Sequence, residues 1–146
     1  MSPPFSFRLH EGWYDITDEV DGAPPPWTFA RPDGDGAFQI SIAGLYVGGK
    51  LPDPSSQDLM KMLLSSATAQ EHDTATELLT EDGDLRIAVA TFRSLEWHLR
   101  LWYFSDGYSV GQASLTTSSQ APPDDLAACE SMVRSIQFAN SDGPSP

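Results

Sequence analysis

The chain has 146 residues, 40% hydrophobic and 10% aromatic, which suits one domain with one packed core and is too rich in Trp, Tyr and Phe for a disordered chain. Its 21 Asp and Glu against 8 Lys and Arg give a formal charge of −13, a field that repels DNA, RNA and anionic membrane surfaces. The cations are scattered from Arg8 to Arg134 without a basic run, and no apolar run approaches the roughly 20 residues that span a bilayer.

The opening Met1-Ser2-Pro3-Pro4-Phe5 has neither the basic nor the apolar region of a signal peptide, and the lone Cys129 has no disulfide partner. Together these features lead us to expect a cytoplasmic protein. Phe5, Phe7 and Leu9 alternate with Ser6, Arg8 and His10, the period of a half-buried strand. An acidic stretch then leads to Pro24-Pro25-Pro26, which no ladder tolerates and which predicts an extended loop.

Trp27 to Arg31 and Ala37 to Tyr46 read as strands around Pro32-Asp33-Gly34-Asp35-Gly36, residues suited to a hairpin turn. In the second strand Phe38, Ile40, Ile42 and Tyr46 share a face opposite Gln39, Ser41 and Ala43. Gly48-Gly49 ends this run. Leu59, Met60, Leu63, Leu64 and Ala67 fall at helical spacing and predict a helix over 55–70, capped by Asp53 or by Ser55 before Asp58.

Three strands follow, near Leu85–Arg93, Glu96–Phe104 and Tyr108–Thr116, with turns at Asp82-Gly83 and Asp106-Gly107. Such short connections make an antiparallel meander. A closing helix begins near Pro122-Pro123-Asp124-Asp125, where its two aspartates suit a helix N-terminus. Leu126, Cys129, Val133 and Ile136 form its apolar stripe. The expectation is an α+β fold: a central antiparallel sheet of about six strands with two main helices packed on one face. It occupies 1–140 as a single domain, and 141–146 form a flexible tail.

Catalytic patterns are missing. There is no GxxxxGK[ST], GxGxxG or GxSxG, and Cys129 in its apolar stripe reads as a small buried hydrophobe. His10, His72 and His98 stand apart from one another and from metal-ligand spacings, so we expect no metal and no cofactor. Asp33-Gly34-Asp35-Gly36 and Glu81-Asp82-Gly83-Asp84 lack the later bidentate Glu of a calcium loop and read as turns. With no catalytic site in view, the expectation is a binding protein and not an enzyme.

The second face of the sheet is more informative. In Glu96–Phe104 the odd positions Trp97, Leu99, Leu101 and Tyr103 make one side, and His98, Arg100, Trp102 and Phe104 lie on the other. In Leu85–Arg93, Ile87 and Val89 oppose Ala88, Ala90 and Phe92. If both helices cover one face, Phe92, His98, Arg100 and Trp102 line a protein-binding surface on the other, because Trp and Arg are enriched at interface hot spots.

Three segments carry a resemblance. Phe7-Arg8-Leu9-His10-Glu11-Gly12-Trp13 resembles the strand and P-E-G-W opening of PsbP/DcrB-like domains, with His10 in place of the usual Pro. The meander ending Trp102-Tyr103-Phe104-Ser105-Asp106-Gly107 is similar, as is the finish Cys129-Glu130-Ser131-Met132-Val133-Arg134-Ser135-Ile136-Gln137-Phe138. The resemblance implies an antiparallel sheet with helices packed alongside. It also implies a binding role, since members of this fold include photosystem subunits, binders of a small nuclear GTPase and Eag-type chaperones of type VI secretion effectors. No functional residue carries over position by position.

The function expected is a cytoplasmic module that binds one cognate protein, as an immunity protein against a toxin or as a chaperone of a secreted effector. An acidic surface would speed association with a basic toxin, and an apolar groove would hold a chaperone's client. The alternatives are a small-molecule binder or enzyme with a cleft beside the sheet, and a structural subunit that oligomerises through the second face.

Overall fold

The computed structural model describes residues 5–17, 27–32, 36–45, 54–69, 75–83, 85–93, 97–107, 109–118 and 122–138. The expected proline loop at 24–26, the turn residues 33–35, Tyr46, the side chain of Ile42, the break at 48–49 and the tail at 141–146 lie outside that description.

The main sheet has seven strands, all antiparallel, one more than expected. In chain order they are β2 (Tyr14–Asp15), β3 (Trp27–Ala30), β4 (Ala37–Leu45), β5 (Ala75–Glu81), β6 (Arg86–Arg93), β7 (His98–Ser105) and β8 (Ser109–Thr117). With β1 (Phe5–Ser6) and β9 (Gln137–Phe138) forming a separate pair, the spatial order of the main sheet is β2-β3-β4-β8-β7-β6-β5.

The opening segment departs from expectation. Only Phe5 and Ser6 enter a ladder, pairing with Phe138 and Gln137, and Leu9 is exposed. The backbone leaves the strand where the Arg8 amide donates to Ser135 Oγ at 2.8 Å. The meander forms as predicted, with Gly107 at φ 99° in the β7–β8 turn, a conformation glycine adopts freely. There Ser105 Oγ accepts from the Gly107 amide and Asp106 Oδ1 from the Ser109 amide.

Helix α1 (Ser56–Ala69) starts with a reciprocal cap. Ser55 Oγ accepts from the Asp58 amide and Asp58 Oδ2 accepts from the Ser55 amide, each at 3.1 Å. Helix α2 (Pro123–Arg134) begins with a proline that needs no donor, carries Asp124 and Asp125 in its first turn, and ends on Arg134.

The two helices do not share a face, which corrects the expected layering. Leu59, Met60, Leu63 and Ala67 of α1 pack on Ala88, Ala90, Phe92, Leu99, Leu101 and Tyr103. Ala128, Cys129, Met132 and Val133 of α2 join the cluster of Ile87, Val89, Trp102, Phe104, Phe38 and Ile40. Both sides of β6 and β7 are apolar, so each needs a cover, and one helix serves each. The α+β class and antiparallel sheet stand as predicted.

Candidate functional site

Period-2 alternation along β7 sends Leu99, Leu101 and Tyr103 toward α1 and His98, Arg100, Trp102 and Phe104 toward α2. Phe92 pairs directly with Leu99, and directly paired residues share a face, so Phe92 lies on the α1 side. The four residues expected to line one partner-binding surface are therefore divided between the two faces. Two are also sealed: Trp102 is 0% exposed, edge-on to Phe38 at 5.9 Å, and Phe92 is 2% exposed. The expected open face is closed by α2.

Arg100 is buried as well, and its environment explains how a charge survives there. Nη1 donates to Glu77 Oε1 on β5 at 2.7 Å and to Thr91 Oγ1 on β6 at 2.8 Å. Nη2 and Nε both donate to Glu130 Oε1 on α2, at 2.6 and 3.2 Å, and the guanidinium lies 5.6 Å from the centre of the Trp102 ring. Burial opposes the charge, but the hydrogen bonds that Arg100 donates to Glu130 and Glu77 outweigh it and raise the pKa above the usual arginine value.

The pattern continues along α2. Arg134 Nη2 meets Glu81 Oε1 at 2.8 Å and Glu130 Oε2 at 4.0 Å. Glu77 and Glu81, both on β5 and about half exposed, are thus each paired with an arginine. At the other end of α2, Asp125 is buried and paired with the partly exposed Arg31 at 2.9 Å, fastening the helix beside β3.

Beside Arg100 opens a pocket of about 310 Å³ lined by Thr76, Glu77, Thr91, Arg93, His98, Arg100 and Leu126. His98 is only 4% exposed, and its Nδ1 has no hydrogen-bond partner among the described residues. Burial, with help from Arg93 and Arg100, holds its pKa below the usual 6.5 and keeps the ring neutral. Cys129, fully buried, has its thiol pushed far above the ordinary range chiefly by burial, which disfavours the thiolate. Among the described residues, no three of His, Cys, Asp and Glu gather as a metal site, and no helix is long and apolar enough to cross a membrane.

The feature sequence reasoning missed is β5. Among the described residues it is the last strand of the sheet, paired with β6 alone, with a register shift between Ala75 and Glu77. Its outer edge carries no strand among the described residues. Leu78 lies opposite Ala90 on the α1 side and Leu79 opposite Val89 on the α2 side, and they are 51% and 47% exposed. The available signal was Thr76 and Thr80 around two leucines, a weak strand pattern because the leucines are adjacent and two glutamates interrupt them.

No family model matches the chain, and no curated protein matches it. The fold defines an antiparallel α+β protein with a helix on each face of the sheet. Its likeness is PsbP-like: the solution structure of cyanobacterial PsbP (CyanoP) from Synechocystis sp. PCC 6803 matches with a TM-score of 0.61 and 15% identity, covering 92% of this chain and 86% of that one. A crystal structure from Bacteroides thetaiotaomicron VPI-5482 matches with a TM-score of 0.60 and 18% identity, covering 98% of this chain but 48% of that one. At these identities the likeness is one of fold.

Proposed function

We propose that the protein is a binding module, without catalytic activity of its own, that captures an extended segment of one cognate protein along the outer edge of β5. The observation that carries this reading is a seven-residue edge strand with a half-exposed leucine on each side. Exposed edges are ordinarily blunted by charge, because unpaired backbone groups recruit foreign strands. Here the two charged residues that would do so, Glu77 and Glu81, each about half exposed, are paired with Arg100 and Arg134. A strand added to β5 would gain main-chain hydrogen bonds, and Leu78 and Leu79 would supply side-chain contacts on both faces.

A formal charge of −13 favours a basic partner through faster encounter. Two narrower roles fit this reading, both in the cytoplasm: a chaperone of a secreted effector and an immunity protein against a toxin. Strand addition favours the chaperone, whose client is held in an extended form. The charge favours the immunity protein.

Capture from native lysate tests the proposal. Tagged wild type should retain one stoichiometric partner, and a Leu78→Lys/Leu79→Lys double variant should lose it. Retention of that partner in high salt identifies contact through the leucines and backbone, whereas loss in high salt identifies a charge-driven toxin contact. Equal capture by both proteins would refute docking at β5.

A further inference from the structure

Five of the seven residues lining the pocket beside Arg100 carry a hydrogen-bond donor. Arg93, on its rim, forms no ion pair or hydrogen bond with a described residue. Thr91 Oγ1 accepts from Arg100, which leaves its own hydroxyl proton unspent. His98 is more than nine-tenths buried, lines the pocket and has an unpartnered Nδ1. The one carboxylate in the lining, Glu77, already accepts from Arg100, as does Glu130 behind it. Buried polar nitrogens without partners are rare in folded proteins, and an unplaced water, ion or ligand is the usual explanation.

We infer that this pocket binds a carboxylate, held by Arg93 and the Thr91 hydroxyl with the His98 imidazole against its second oxygen. A single lining cation without a described partner suits a monoanion. Arg100 is already bound by both Glu77 and Glu130, so Arg93 is the lining cation without a described carboxylate partner. A phosphate dianion would leave excess negative charge in a protein whose formal charge is already −13. The carboxylate can come from a free small acid or from the C-terminus of a peptide chain. The site does not depend on strand addition at β5, and its test requires no cognate protein.

The test is a titration of ¹⁵N-labelled protein with sodium acetate at constant ionic strength, following the imidazole nitrogens by NMR, with His98→Gln assigning the His98 signals. Charged groups that share the pocket with His98 are Glu77 from β5, Arg93 from β6 and Arg100 from β7, with Glu130 of α2 bound to Arg100 behind them. Acetate should give a saturable displacement confined to His98, and its binding should tighten as pH falls, because a bound anion stabilises the imidazolium. Arg93→Gln, on an exposed side chain that leaves the fold intact, should weaken acetate about tenfold, the loss of one charge-assisted hydrogen bond. Trialanine with a free C-terminus, run against its amide, separates the sources. Comparable binding of acetate and free trialanine identifies a small acid, and much tighter binding of free trialanine identifies a chain terminus. No saturable displacement with either probe, an unchanged curve in Arg93→Gln, or the same response to chloride would overturn the assignment.

Discussion

Glu130 Oε1 accepts two hydrogen bonds from Arg100, at 2.6 and 3.2 Å, so a single carboxylate on α2 is fastened to the middle of the sheet. The pair stands at the centre of a chain of charges from Glu77 through Arg100, Glu130 and Arg134 to Glu81. Arg100→Met keeps the side-chain volume but leaves Glu130, mostly covered by its neighbours, without its cation. The expected loss is about 3 kcal/mol of folding stability in urea titration. Arg100→Met with Glu130→Leu should recover much of it, since an apolar pair removes the stranded charge.

His98 gives a pH dependence of definite sign. The unfolded chain protonates this residue near pH 6.5, and the folded chain, whose His98 value is lowered by burial, does so only at lower pH. Between those values the unfolded state binds more protons, so the contribution of His98 to stability falls as pH drops from 7 through 6.5 toward the folded value. Urea titrations at neutral and mildly acidic pH should show this loss in the wild type and a smaller one in His98→Gln.

Cys129 should resist thiol reagents in the native protein. It is 0% exposed on the inner face of α2, and its thiol pKa is raised, so thiolate is scarce. Labelling by iodoacetamide at pH 8 is expected only at the rate of unfolding and should accelerate in urea. Rapid native labelling would mean that α2 opens away from the sheet.

At Gly111 the sheet leaves no room for a side chain. A Cβ there would overlap the ring of Phe104, its direct partner on β7, and that ring is itself buried against Phe138 at 5.8 Å. Gly111→Ala is expected to cost about 2 kcal/mol by overpacking. The same substitution in a Phe104→Leu background should cost less, a coupling that a double-mutant cycle in urea measures.

The meander was legible because its residues alternate strongly, and β7 shows how far that legibility reached. Alternation assigned Trp102 and Leu101 to opposite sides correctly, yet it contains nothing about what covers each side. Treating the stripes of α1 and α2 as one layer left the Trp102 face open, where the structure places α2 upon it. Phe92 was misplaced for a related reason: faces on different strands are linked only by register, and the pairing of Phe92 with Leu99 is fixed by the hairpin. Strand β5 was missed because Glu77-Leu78-Leu79 carries no period, and its strand state comes from pairing with β6. The Arg100 cluster joins β5, β6, β7 and α2, a convergence that no spacing in the chain encodes.

The most direct test of strand capture at β5 is backbone hydrogen exchange over residues 75–81, measured with and without the protein that the wild type retains from native lysate. The account predicts slower exchange of the β5 amides in the complex, with no comparable change along β2 at the opposite edge. It also predicts that Leu78→Lys/Leu79→Lys abolishes the complex while shifting stability by no more than about 0.5 kcal/mol, as exposed positions allow. Unchanged β5 exchange in a stable complex, or protection centred on β2, would contradict it.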